Sequence, residues 1–174
     1  MDQLEQMIER LNKLEATNIV RNMINRYMQI CDDLSASTDL DELMNLFAED
    51  AIWEGIGTRY QASFGRHEGR DKIAAMFRGY MQQDAHFVMN AHFLSSEQIY
   101  VEHDLATAHW LMLQTSTFRD QRAHLNAAKL SVEYQRQADG QWKISHFQTE
   151  NILSRPVTHW DSDIRLPVPE SHNN

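Results

Sequence analysis

A single cysteine, Cys31, stands in a chain of 174 residues. No internal disulfide can form, which suits a reducing compartment. Only three prolines and six glycines occur, excluding collagen-like and low-complexity classes. No apolar run approaches the ~18–20 residues of a membrane helix. Positive charge is also short, since 16 Lys+Arg against 25 Asp+Glu leave a formal charge of −9. With a pI near 5.4, that balance argues against nucleic acid or an anionic membrane as the partner. Residues 1–5 lack the basic-then-apolar pattern of a signal peptide, and a cytoplasmic location is expected.

Several chemical signatures are missing too. There is no Gly-x-Gly-x-x-Gly, no phosphate loop and no Gly-x-Ser-x-Gly elbow, which removes the usual nucleotide and serine-nucleophile motifs. Nine histidines are present, but there is no His-x-His, no His-Glu-x-x-His and no cysteine pair. No metal or other cofactor is therefore expected, although a site assembled from distant strands stays open to histidines. Cys31 falls in phase with an apolar helix face and reads as a buried thiol.

What is present fits one domain, because a chain of this length buries ~70% of its unfolded surface without disulfide or metal. Leu4, Met7, Ile8, Leu11 and Leu14 recur at helical spacing, and the pattern resumes at Ile19, Val20, Met23, Ile24, Tyr27 and Met28. This predicts a helix or helix pair to about Asp33, with a break near Thr17-Asn18 and residues 1–16 as an amphipathic extension. Thr38, three residues before Asp41, reads as a capping box for a second helix over 40–47. A short strand follows over 51–56, then a loop over 57–69, and a third helix over 69–82. From 86 onward the period becomes that of strands, over 87–94, 99–102, 106–118, 126–135 and 142–149. Residues 151–174 hold all three prolines and read as an extended tail with a disordered end. Helices first and an antiparallel meander after them predict an α+β domain, its helices covering one face of a curved sheet and leaving a concave pocket.

Three features could carry chemistry. Tyr27 and Asp32 lie five residues apart near the end of the long helix, ~140° apart on an ideal one. They converge only where the helix frays, and the pair reads equally as a core phenol and a solvated carboxylate. His92 shares a strand face with His86, Val88 and Asn90 if the strand is regular. Its ordinary pKa near 6.5 suits proton transfer, while a hydrogen-bonded core histidine is the structural alternative. Trp110, Met112, Asn126, Tyr134, His146 and Gln148 share the inward face of the late strands, with Trp142, Ile144, His146 and Gln148 together on the last. Aromatic walls with a few polar atoms make a small-molecule pocket or an ordinary core.

The residues Ile24, Tyr27, Asp32, Leu43, Phe47, Asp50, Ala51 and Trp53, with Gly65, Gly69 and Ile73 spaced by fours, resemble the SnoaL-like proteins of the nuclear transport factor 2-like superfamily. His92-Phe93-Leu94 followed by Ile99, Val101, Asp104, Ala106 and Trp110, and the closing Trp142-Lys143-Ile144, extend the resemblance over about residues 17–150. It implies a cone-shaped barrel in which a curved sheet wraps N-terminal helices around a central pocket, in one domain over 1–150. It is similar in particular to scytalone dehydratase and bile-acid 7α-dehydratase, and implies Asp32 and His92 as a catalytic pair with Tyr27 as a donor. Trp53, Trp110, Met112, Asn126, His146 and Gln148 are then the expected substrate-binding residues. The further His or Asp that the dehydratases carry on the next strand has no ionisable counterpart between Gln114 and Ser116, and the lysine of the related dehydrochlorinase is absent at Tyr27. The implied function is a cofactor-independent lyase acting on a small hydrophobic cyclic, polyketide- or steroid-like molecule. An isomerase or cyclase, or a non-catalytic assembly subunit like that of ring-hydroxylating dioxygenases, are the alternatives. The resemblance also implies a homo-oligomer, dimer or trimer, and Leu111 and Leu113 beside Trp110 and Met112 put apolar atoms on both faces of one strand.

Overall fold

The first helix is unbroken. In the computed structural model, which describes residues 2–83 and 86–160, α1 runs Gln3–Asp32, ~45 Å at 1.5 Å per residue. The expected break at Thr17-Asn18 does not form. The Thr17 hydroxyl donates back to the Lys13 carbonyl (2.8 Å) and Asn18 Oδ1 accepts from Arg21 (2.8 Å), so both polar side chains are satisfied inside the helix. Burial starts at Ala16 and continues through Val20, Ile24, Tyr27 and Met28, while Leu4, Met7, Leu11 and Leu14 stay exposed.

The next helix, α2, is Leu40–Met44, shorter than expected and capped differently. Asp39 Oδ1 accepts from the backbone N–H groups of Asp41 (3.0 Å) and Glu42 (3.2 Å), while the Thr38 hydroxyl donates to the Asp33 carbonyl. Phe47 is released into a strand, β1, Phe47–Ile56. The stretch expected as a loop is structured, as helix α3 Gly57–Phe64 and strand β2 Arg66–Glu68. Helix α4 is Arg70–Arg78.

Four long strands follow: β3 Phe87–Glu102, β4 Leu105–Phe118, β5 Ala123–Arg136 and β6 Trp142–Val157. The sheet order is β2-β1-β6-β5-β4-β3, antiparallel throughout except for the parallel β1–β6 pair. This is the expected α+β class. Residues 94 and 99 belong to one strand, because the gap between them is a bulge: Ser95 faces Leu111 and Gln98 faces His109, with Ser96 at φ +55°. β6 runs on through Pro156 at its end, so residues 151–157 complete the domain's last strand. The tail's polar end, expected to be disordered, lies outside the described residues.

The core sits between α1 and the sheet. Val20, Ile24, Leu43, Phe47, Ile73, Val132 and Ile144 are inaccessible to solvent, each worth ~1.5–3 kcal/mol of apolar burial. α1 is also fastened to the sheet by charge, as Arg21 Nε and Nη2 donate to both oxygens of Glu97 on the β3 bulge (2.6–3.0 Å).

Candidate active site

Asp32 is the final residue of α1, where the helix dipole and unsatisfied carbonyls disfavour a negative charge. Strand β3 offsets both problems. His92 Nδ1 lies 2.6 Å from Asp32 Oδ1, and the His92 backbone N–H donates to the same oxygen at 3.0 Å. Two residues away, Asn90 Nδ2 donates to the carbonyl of Cys31 (3.2 Å). The carboxylate assigns the imidazole proton to Nδ1. His92 Nε2 has no hydrogen-bond partner among the described residues and is left with its lone pair. Only 11% of the His92 side chain is exposed, so that lone pair is shielded from bulk water.

His92 lines a cavity of about 340 Å³ between the helices and the concave face of the sheet, within the size range of small-ligand pockets. Tyr27, Trp53, Met112 and Asn126 line it as well. The Trp53 ring stacks on Phe147 at 5.7 Å and 4°, and its Nε1 donates to the Tyr27 hydroxyl (3.0 Å). Burial holds the Tyr27 phenol well above its ordinary pKa, so it keeps its proton and remains a donor. Burial likewise pushes the Cys31 thiol up to about 12, making it an unreactive neutral neighbour.

Asn90 and Asn126, both expected on inward strand faces, are joined by Gln114 and Ser116, which were not foreseen as site residues. Asn90 Oδ1 accepts from Gln114 Nε2 and Ser116 Oγ, both at 2.8 Å, and Gln114 Oε1 accepts from Asn126 Nδ2 (3.4 Å). Gln114 faces His92 directly in the strand register. A signal existed, because Gln114 and Ser116 continue the inward phase of Trp110 and Met112 by two further steps of period two. Arg59 and His124, which also line the cavity, carried no such signal.

Three expected pocket residues are elsewhere. His146 and Gln148 face away from the cavity, because β6 bulges at Ser145: Ile144 pairs with Tyr134 but His146 with Glu133. The extra residue reverses the alternation, and Phe147 and Thr149 point inward instead. On the other face, His146 and Gln148 hydrogen-bond to Glu54 Oε1 at 2.8 and 2.9 Å, and Arg66 to its Oε2 at 2.8 Å. Trp110 is core, with its Nε1 3.4 Å from Glu97. Val88 is likewise not on the His92 face; it is the extra residue of a bulge between Phe87 and Met89 and is exposed. A wider groove of about 1110 Å³ lies between the first half of α1 and the turns after β3 and β5, but it holds none of the candidate residues. Among the described residues no three His, Cys, Asp or Glu side chains converge as metal ligands, and no helix is long and apolar enough to cross a membrane.

N-terminal helices laid across a curved, mostly antiparallel six-stranded sheet, with a cavity between the layers, define the nuclear transport factor 2-like class of α+β proteins. The SnoaL-like domain model matches residues 12–148, and the chain belongs to that family. No curated protein sequence matches it significantly. Among solved structures, an NTF2-like protein with a cystatin-like fold from Novosphingobium aromaticivorans is 27% identical, covering 87% of this chain and 92% of its own at a TM-score of 0.61. Hexachlorocyclohexane dehydrochlorinase LinA-type3 from Novosphingobium barchaimii LL02 is 16% identical over 86% of this chain and 96% of its own, with a TM-score of 0.69. A protein provisionally named scytalone dehydratase, from Novosphingobium aromaticivorans, is 18% identical over 90% and 97%, with a TM-score of 0.66. The structural neighbours thus include lyase-type enzymes, and at these identities the likeness is one of fold.

Proposed function

We propose that this chain is a cofactor-independent lyase of the dehydratase type, acting on a small hydrophobic cyclic, polyketide- or steroid-like substrate. The observation that carries the reading is the 2.6 Å Asp32–His92 pair at the wall of an aromatic cavity. Asp32 orients the imidazole and stabilises the imidazolium that forms when Nε2 takes a proton α to a carbonyl. The same Nε2–H then protonates the departing hydroxyl, which leaves as water and returns His92 to its starting state. Tyr27, a phenol held protonated, donates to the carbonyl oxygen as negative charge builds there.

The test is a panel of cyclic β-hydroxy ketones in deuterated water, followed by NMR for elimination and for deuterium at the α-carbon. Elimination is expected, and His92→Ala and Asp32→Asn should each lower it by roughly 10²–10⁴-fold, the scale of a positioned acid–base group. Full turnover in both variants would end the mechanism. Deuterium incorporation without loss of water favours the isomerase or cyclase alternative, and neither event favours the assembly-subunit one.

A further inference from the structure

The chain carries nine more acidic than basic residues, yet among the described residues no carboxylate lines its inner cavity. Arg59 does, together with His86, His92 and His124. Arg59 comes from α3 and makes one hydrogen bond, from Nη1 to the backbone carbonyl of Ser154 (3.2 Å); among the described residues no carboxylate pairs with it. His124 Nε2 lies 3.5 Å from the Ser154 hydroxyl, which places Arg59, Ser154 and His124 along one edge of the cavity. Arg122 stands near as well, but it is occupied by Asp120 at 2.6 Å and by the Phe118 ring. Desolvation, with the charges of Arg59 and Arg122, lowers the His124 pKa. That shift favours the neutral imidazole, and among the described residues the cation at this edge without a carboxylate partner is Arg59.

We propose that the Arg59 edge of the cavity is an anion-binding subsite, so that the occupant is an amphiphilic acid whose rings lie against Trp53 and Phe147 and whose anionic oxygen group meets the Arg59 guanidinium. Arg59 is exposed at the edge of the cavity, so its charge faces water on one side, and the aromatic walls on the other side focus its field towards the cavity. Its planar fork and the Ser154 hydroxyl match a carboxylate or similar group. An acidic protein surface repels anions in general, so a preference for one has to be local. The inference rests on the cavity being the substrate site.

Two fluorescent probes of matched ring structure separate the cases: anilinonaphthalene sulfonate, an anion, and phenylnaphthylamine, its neutral counterpart. Occupancy of the cavity is read from the His92 imidazole NMR signals, and affinity from fluorescence titration of the intact protein. The sulfonate is expected to bind roughly tenfold more tightly, the scale of one charge-assisted hydrogen bond. Arg59→Gln should remove that preference while leaving the neutral probe's affinity unchanged, and Arg59→Lys should restore part of it. Equal affinities in the native protein, or a preference that survives Arg59→Gln, would overturn the subsite while leaving the cavity as the binding site. If neither probe perturbs His92, the cavity reading and the subsite fall together.

Discussion

At the scale of single residues, Glu54 shows how thoroughly an environment can fix a carboxylate. Burial alone would raise its pKa, but hydrogen bonds from Gln148, Arg66 and His146, with the Arg66 charge, outweigh it and hold the group at about 2. Because the folded value lies below the unfolded one, the ionised group adds stability above about pH 4.5 and loses it as the pH falls towards 2. Glu54→Gln is expected to cost about 1–3 kcal/mol at neutral pH. The gap in melting temperature between variant and native protein should shrink by roughly half or more by about pH 3; a constant gap in calorimetry would remove Glu54 from the account of stability. His146 and Gln148, read from sequence as pocket residues, are the partners in this network. Their alternation is regular on paper, and a one-residue bulge at Ser145 leaves no compositional mark. Tyr27, Asp32 and His92 were named for the opposite reason: their residue types and order match a known pattern. The helix does not fray at Asp32, so Asp32 meets His92 while Tyr27 meets Trp53. Gln114 and Ser116 lay open to the same period-two argument that found Met112.

At the scale of elements, the long periodic pieces were legible and the short ones were not. The apolar phases of α1 and β5 show plainly, whereas α3 has eight residues and its polar, glycine-flanked composition reads as loop. Its position is set by close contact. A Cβ added to Gly55 on β1 would stand 2.5 Å from the Tyr60 carbonyl oxygen and 2.8 Å from its carbon, backbone atoms that yield only if α3 moves. Gly55→Ala is therefore expected to cost about 1–3 kcal/mol and to weaken probe binding, since α3 carries Arg59 and Tyr60 into the cavity wall. Urea unfolding measures the first effect and fluorescence titration the second; native values for both would show that α3 is not held by this contact.

At the scale of the whole molecule, the sheet has a second face. Phe93, Leu113, Ala127 and Leu153 occupy neighbouring register positions across β3, β4, β5 and β6, and Phe93, Leu113 and Leu153 are each more than 40% exposed. Contiguous apolar rows of this kind mark contact surfaces. We propose that copies of the chain meet here as a dimer or trimer. Light scattering after size-exclusion chromatography should give a multiple of the monomer mass, lowered by Leu113→Arg; a clean native monomer would contradict this. The −9 charge then serves solubility of the remaining surface.

The two sides of the cavity also differ in what holds them. β3, β4, β5 and β6 are linked pair by pair through long backbone ladders interrupted in places by one-residue bulges, so that wall cannot part without breaking several hydrogen bonds together. α3 and α4 lie across the opening as short helices with eight and nine residues, joined to the sheet mainly through side chains and a few backbone links at their ends, such as Gly55 to Gly65 and Gly69 to Ala51. If the proposed substrate binds in this cavity, the sheet is expected to act as a fixed gauge for its length and shape, with the give supplied by the helices. Molecules that differ in bulk where they meet α3 and α4 would be tolerated, and molecules that differ where they meet β4 would be refused.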